Sequence, residues 1–244
     1  MMLIHMIVAL AGTFVAGTVS GATGLAFPLI AGPIFLLTYP APEAIALTAL
    51  CSVSGQLFSI ALLRRSIVYE YRLPLILPGL LGVPLGSALL TRLSPTPIHI
   101  ALGILIAIAG GWAALQPAGR IGCSDHPRRA SEAAVGLIGG LTGGLVGASS
   151  VVPAIWCAWL GHSKERQRAI TQPFIVTMQL ASLLALGAWG ALDWSLPRDY
   201  ALVLIPLLAG IGTGVACFHA ASSTLVTRAA LCVVTASGVA LLIA

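Results

Sequence analysis

Ten stretches of apolar residues, most of them near the length of a membrane-crossing helix, follow one another along this chain with mostly short polar connections between them. They run over residues 3–20, 24–38, 44–63, 73–91, 97–115, 133–146, 150–161, 169–190, 199–218 and 226–243. About 20 apolar residues suffice to cross the hydrocarbon as a helix. Inside the bilayer the backbone must satisfy its own hydrogen bonds, which leaves helices as the only fold open to such segments. Only 8% of residues are charged and 58% are hydrophobic, against about 25% charged in soluble domains. So little polar surface cannot coat a water-soluble globule. The fold class expected is an all-α polytopic membrane protein with about 8–10 membrane segments.

The formal net charge of +5 is carried by residues gathered in loops. It therefore reads as topology and contact with anionic membrane lipid, with no nucleic acid as a partner. Cys51, Cys123, Cys157, Cys217 and Cys232 have no paired metal spacing, and no nucleotide fingerprint or Gly-x-Ser-x-Gly elbow occurs. Neither a cofactor nor a metal is expected, and the chain does not read as an enzyme.

Residues 1–39 and 133–161 are each too long for one span and short for two. Each has glycines in its middle followed by a proline: Gly21, Gly24 and Pro28 in one, Gly143, Gly144, Gly147 and Pro153 in the other. Proline removes a helical hydrogen bond and glycine lets the backbone turn, so each region predicts a hairpin or a broken helix. The same residues belong to an internal repeat. Gly21, Gly24, Thr48 and Gln56 recur as Gly144, Gly147, Thr171 and Gln179 at an offset of 123, while Pro78, Gly82 and Gly86 recur as Pro206, Gly210 and Gly214 at 128. The organisation expected is a first repeat over 1–115, a polar linker over 116–132 and a second repeat over 133–244.

Charge orients the halves. Arg64, Arg65 and Arg72 follow the 44–63 span, whereas Lys164, Arg166 and Arg168 precede its counterpart at 169–190. Positive-inside bias then gives two inverted repeats.

Inverted repeats with interrupted helices are the usual build of a secondary transporter. Backbone N–H groups released at a break, with neighbouring hydroxyls, can hold an anion. The candidate substrate-binding residues are Ser20, Gly21, Thr23 and Gly24 at the first break and Gly147, Ser149 and Ser150 at the second. Thr48, Ser52, Gln56, Thr171, Gln172 and Gln179 lie on the spans that follow. Gln56 and Gln179 should face the interior, as glue between the repeats or as substrate contacts. No carboxylate lies mid-span, which disfavours a cation carrier. Arg64 and Arg65 are anchoring charges or draw an anion to the mouth. A proton as coupling ion would need a titratable carrier, and His219 is the nearest to that role, although an interfacial role suits it better.

These motifs resemble the TauE/SafE sulfite exporter family, also called TSUP. The resemblance rests on Ser20-Gly21-Ala22-Thr23-Gly24 with Pro28, on residues 42–48, Arg64-Arg65 and the glycine pattern of 80–87, and on residues 139–147 before Pro153. It implies a permease in the bacterial inner membrane for a small sulfur-containing or organic anion such as sulfite, sulfoacetate or a related sulfonate, with proton coupling often suspected. Ala22, Thr23, Leu25 and Ala26 stand where the family often has a nearly continuous glycine run, which bears on pocket size. An anion channel or facilitator, and a membrane interaction protein that transports nothing, are the competing expectations.

Overall fold

The structure is a computed structural model that describes residues 2–115, 129–192 and 196–220. Among these it is all helical: α1 (Met2–Thr23), α2 (Phe27–Leu36), α3 (Ala41–Leu63), α4 (Leu73–Arg92), α5 (Pro95–Leu115), α6 (Arg129–Val146), α7 (Val151–Trp159), α8 (Lys164–Ala188) and α9 (Leu196–Ala220). Four of them, α3, α4, α8 and most of α9, are long and apolar enough to cross a membrane. The expected span over 226–243, most of the linker, Cys123, Cys232 and the side chain of His219 lie outside the described residues.

The outer faces fit a lipid surround. On α4, Leu73, Leu77, Leu81, Leu85 and Leu89 are exposed at four-residue spacing, while Gly79, Gly82, Val83 and Gly86 are buried. Residues four apart share one face of a helix, so α4 turns a continuous leucine stripe outward. Ile100, Ile104 and Ile108 do the same on α5. The chain is thus an integral, polytopic helical membrane protein.

Both interrupted regions are hairpins. The α1 backbone ends at Gly24, whose φ of +86° is left-handed and whose N–H bonds to Ser20 O at 2.6 Å. Gly147 ends α6 in the same way, with φ +71° and a bond from its N–H to Gly143 O at 3.0 Å. Glycine takes this conformation without the steric penalty a Cβ brings. Past each turn the chain doubles back. A Cβ on Gly12 would run into Ile34 of α2, and one on Gly139 would lie 3.3 Å from Pro153 Cδ in α7. With 10 and 9 residues, α2 and α7 rise only about 15 Å each at 1.5 Å per residue. Neither crosses the bilayer.

The halves are interleaved through equivalent seams, α4 on α6 and α1 on α9. A Cβ on Gly82 or Gly86 would sit 2.7 Å or 2.8 Å from the backbone N of Leu141 or Leu145. One on Gly210 or Gly214 would sit 3.0 Å or 2.8 Å from that of Thr18 or Ala22. These are the same contacts displaced by the sequence offsets of 128 and 123. Small residues let the backbones approach this closely, and such packing holds helices together in lipid.

Two boundaries differ from those expected. α8 starts at Lys164, so Lys164, Arg166 and Arg168 are helical and not in a loop; Ser163 caps it by accepting a bond from Arg166 N–H at 3.3 Å. α6 starts at Arg129, which brings Glu132 into a helix and buries it. Cap chemistry and an ion pair, both carried by polar residues, set these starts ahead of the apolar runs. Trp156 is buried in one hydrophobic cluster with Phe174 and Leu75, although tryptophan in membrane proteins favours the interface.

Candidate anion site

Residues 168, 172 and 179 stand four and seven apart on α8, which puts them on one face. At 1.5 Å per residue they lie roughly 6, 12 and 22 Å from its start. That face meets α3, which presents Gln56 and Ser59, and the two hairpin turns. Arg168 is 1% exposed and Gln172 and Gln179 are fully buried.

Hydrogen bonds link Gln56, Gln172, Ser59 and Arg168 into one set at the first turn, and Gln179 bonds separately at the second. Gln56 Nε2 donates to Gly24 O at 2.9 Å, and Gln179 Nε2 donates to Gly147 O. Each glutamine thus satisfies the carbonyl of a left-handed glycine, one of the acceptors that a helix end leaves open. Gln172 Nε2 donates to Gln56 Oε1 at 2.9 Å and to Ser59 Oγ at 3.2 Å. The Arg168 guanidinium donates to Gly21 O, and at 3.5 Å to Ser20 O and to Ser59 Oγ. Ser150 Oγ donates to Leu25 O at 3.0 Å and so joins the second turn to the first.

Other candidate residues are placed less centrally. Thr48 and Thr171 are buried but turn their hydroxyls to their own helices, donating to Ala44 O at 2.7 Å and Gln167 O at 2.9 Å. Thr23 does likewise to Val19 O at 2.8 Å. The hydroxyls of Ser52 and Ser149 and the amide oxygens of Gln172 and Gln179 are buried with no hydrogen-bond partner among the described residues. They have bonding capacity in hand for a ligand or a water. Arg64 and Arg65 are exposed at the end of α3.

Arg168 reads from the sequence as an anchor or as a charge that draws an anion to the mouth, not as a residue of the binding site. It belongs to the run Lys164-Glu165-Arg166-Gln167-Arg168, which reads as an anchoring loop. The available signal was its spacing from Gln172 and Gln179.

Just outside the cluster, Arg72 pairs with Glu132 at 2.6 Å and with Glu70 at 3.0 Å, and Arg166 approaches Glu70 at 3.5 Å. Residues 64–72 and the starts of α6 and α8 therefore meet on one side of the molecule. Burial opposes the charge on Arg72, but its bonds to Glu132 and Glu70 outweigh that and hold its pKa above the ordinary arginine value. Tyr69 belongs to the same segment. Burial pushes its hydroxyl pKa up, and the Arg168 charge draws it partly back, so it is a neutral donor at physiological pH.

The family model for the sulfite exporter TauE/SafE matches residues 9–241 of the 244. The chain belongs to the TauE/SafE sulfite exporter family. No curated protein and no solved structure matches it. TauE/SafE membership makes it a membrane transporter. Among the described residues, no group of histidines, cysteines and carboxylates is arranged to hold a metal ion.

Proposed function

We propose that this protein is a secondary transporter that carries a small sulfur-containing or organic anion, such as sulfite or a sulfonate, by alternating access across a bacterial inner membrane. The observation that carries this reading is Arg168, a charged residue buried against the α1–α2 turn in company with Gln56, Ser59 and Gln172. Ionisable side chains inside a membrane protein are expensive to bury and mark substrate pathways. A guanidinium among neutral dipoles complements an anion.

Enclosure supports a carrier over a continuous pore. Arg168, Gln172, Gln179, Ser149 and Ser150 are all essentially inaccessible, which suits an occluded state that opens to one side at a time. The ion pairs of Arg72, Glu132, Glu70 and Arg166 fasten the side on which the basic segments gather. We read that side as cytoplasmic by the positive-inside rule. The meeting of the segment after α3 with the start of α8 supports inverted repeats, because α3 and α8 are counterparts that then begin on opposite sides.

Moving one charge through 100 mV involves about 2.3 kcal/mol, so export of a monoanion from a negative-inside cell is favoured and uptake needs coupling, for instance to protons. Proteoliposomes given a panel of sulfonates and carboxylates under imposed pH and voltage gradients test substrate, direction and coupling together. Saturable flux of at least one anion is expected. No flux for any of them would overturn the reading.

A further inference from the structure

The two hairpin turns are built alike and equipped differently. At the offset of 123, Gly24, Gln56 and Ser59 correspond to Gly147, Gln179 and Ser182, and all three pairs are buried. Each glutamine bonds the carbonyl of its left-handed glycine. What stands over the two glycines does not correspond in chemistry. A Cβ on Gly24 would lie 2.7 Å from Arg168 Nε and 2.8 Å from its Cγ, whereas one on Gly147 would meet only carbon atoms, Thr48 Cγ2 at 3.4 Å and Ile45 Cδ1 and Cγ2 at 3.7 Å. Arg168 and Ile45 are themselves counterparts at that offset. One turn further along each helix, buried Gln172 corresponds to buried Ala49. The repeat therefore puts a guanidinium and an amide at one turn, and two hydrocarbon side chains at the other.

We propose that the anion is bound asymmetrically, its single negative charge held by Arg168, beside Gln172 and Ser59, at the α1–α2 turn, while the matching position over Gly147 recognises no charge. This rests on the transport reading above and narrows it to monoanions with an oxyanion head: hydrogen sulfite, a sulfonate or a monocarboxylate. The guanidinium fork matches two oxygens of such a head. The contacts of Arg168 to Ser20 O and Ser59 Oγ, both 3.5 Å, lie at the outer limit of hydrogen bonding. They are the contacts an incoming oxygen replaces, while the bond to Gly21 O keeps the guanidinium on the turn. A dianion such as sulfate would bring a second charge into a buried site that offers one cation at this turn, which is costly at low dielectric.

The test is equilibrium binding to the purified full chain in lipid nanodiscs, with hydrogen sulfite, methanesulfonate, acetate and sulfate as probes. One monoanion per chain is expected, bound more tightly than sulfate. Arg168→Gln should weaken it by about 10- to 100-fold, the scale of a hydrogen bond to a charged group. Ile45→Val, at the counterpart position, should leave it unchanged. Arg168→Lys keeps the charge without the fork and should fall between; it decides the matter if Arg168→Gln does not fold. Unchanged affinity in a folded Arg168 variant, two equivalent sites per chain, or sulfate bound as tightly as the monoanions would overturn this proposal and leave transport standing. A wild-type protein that bound none of the probes would overturn both.

Discussion

Gly24 and Gly147 are where single residues have the largest consequences. Both have left-handed backbones, a conformation that costs a residue with a Cβ about 1–2 kcal/mol. At Gly24 the added carbon also collides with Arg168, while at Gly147 its nearest neighbour is Thr48 Cγ2 at 3.4 Å, an ordinary contact. Gly24→Ala should therefore lower the unfolding temperature more than Gly147→Ala and should impair transport per folded molecule, which thermal unfolding and flux measured on the same preparation will show. Gln56→Ala and Gln179→Ala each leave a buried carbonyl without its donor, a penalty of about 1–3 kcal/mol. Stability should fall in both, but substrate affinity should fall mainly with Gln56, since Gln172 leans on Gln56 Oε1. Equal losses of affinity in the two variants would speak for a symmetric site.

At the scale of elements, the seams and the ion pairs make separate demands. Gly140 on α6 lies directly against Gly79 of α4, so Gly140→Leu should prevent that seam from closing and abolish folded protein, as judged by size-exclusion elution in detergent. Glu132→Gln removes one partner of a nearly buried pair. The loss of stability should be about 1–3 kcal/mol, as for a hydrogen bond to a charged group whose partner stays buried. The raised pKa of Arg72 means that its contribution is complete below the ordinary arginine range and is lost only as pH rises through a still higher value. The difference between wild type and Glu132→Gln should accordingly hold constant from about pH 7 to about pH 10, where an ordinary arginine stays charged; a difference that shrank across that interval would contradict the assigned pair.

Much of the architecture was legible in the sequence at this scale. Apolar length gave the helices, and the glycine-then-proline order located both turns. Hydropathy could not show that Lys164 to Arg168 begin a helix, since Ser163 supplies the cap and charged residues supply the first turns. Nor could it show that Arg168 turns inward, because a basic run before an apolar one reads as an anchor. The paired glutamines were legible from the repeat. The asymmetry around them came into view only when Ile45 and Arg168 were seen to occupy matching places.

For the whole molecule, inverted repeats require counterpart segments to face opposite sides of the membrane. In a variant with its five cysteines replaced, single cysteines at Arg65 and Lys164 should be labelled by an impermeant reagent from the cytoplasmic side. Cysteines at their repeat counterparts, Ala188 and Ala41, should be labelled from the other. Labelling of all four from one side would contradict inversion. Passage of an anion through the Arg168 site is read out by counterflow. Proteoliposomes loaded with unlabelled sulfite should transiently concentrate labelled sulfite, saturably, and those bearing folded Arg168→Gln protein should not. Counterflow undiminished in that variant, or single-channel currents in place of counterflow, would contradict the account.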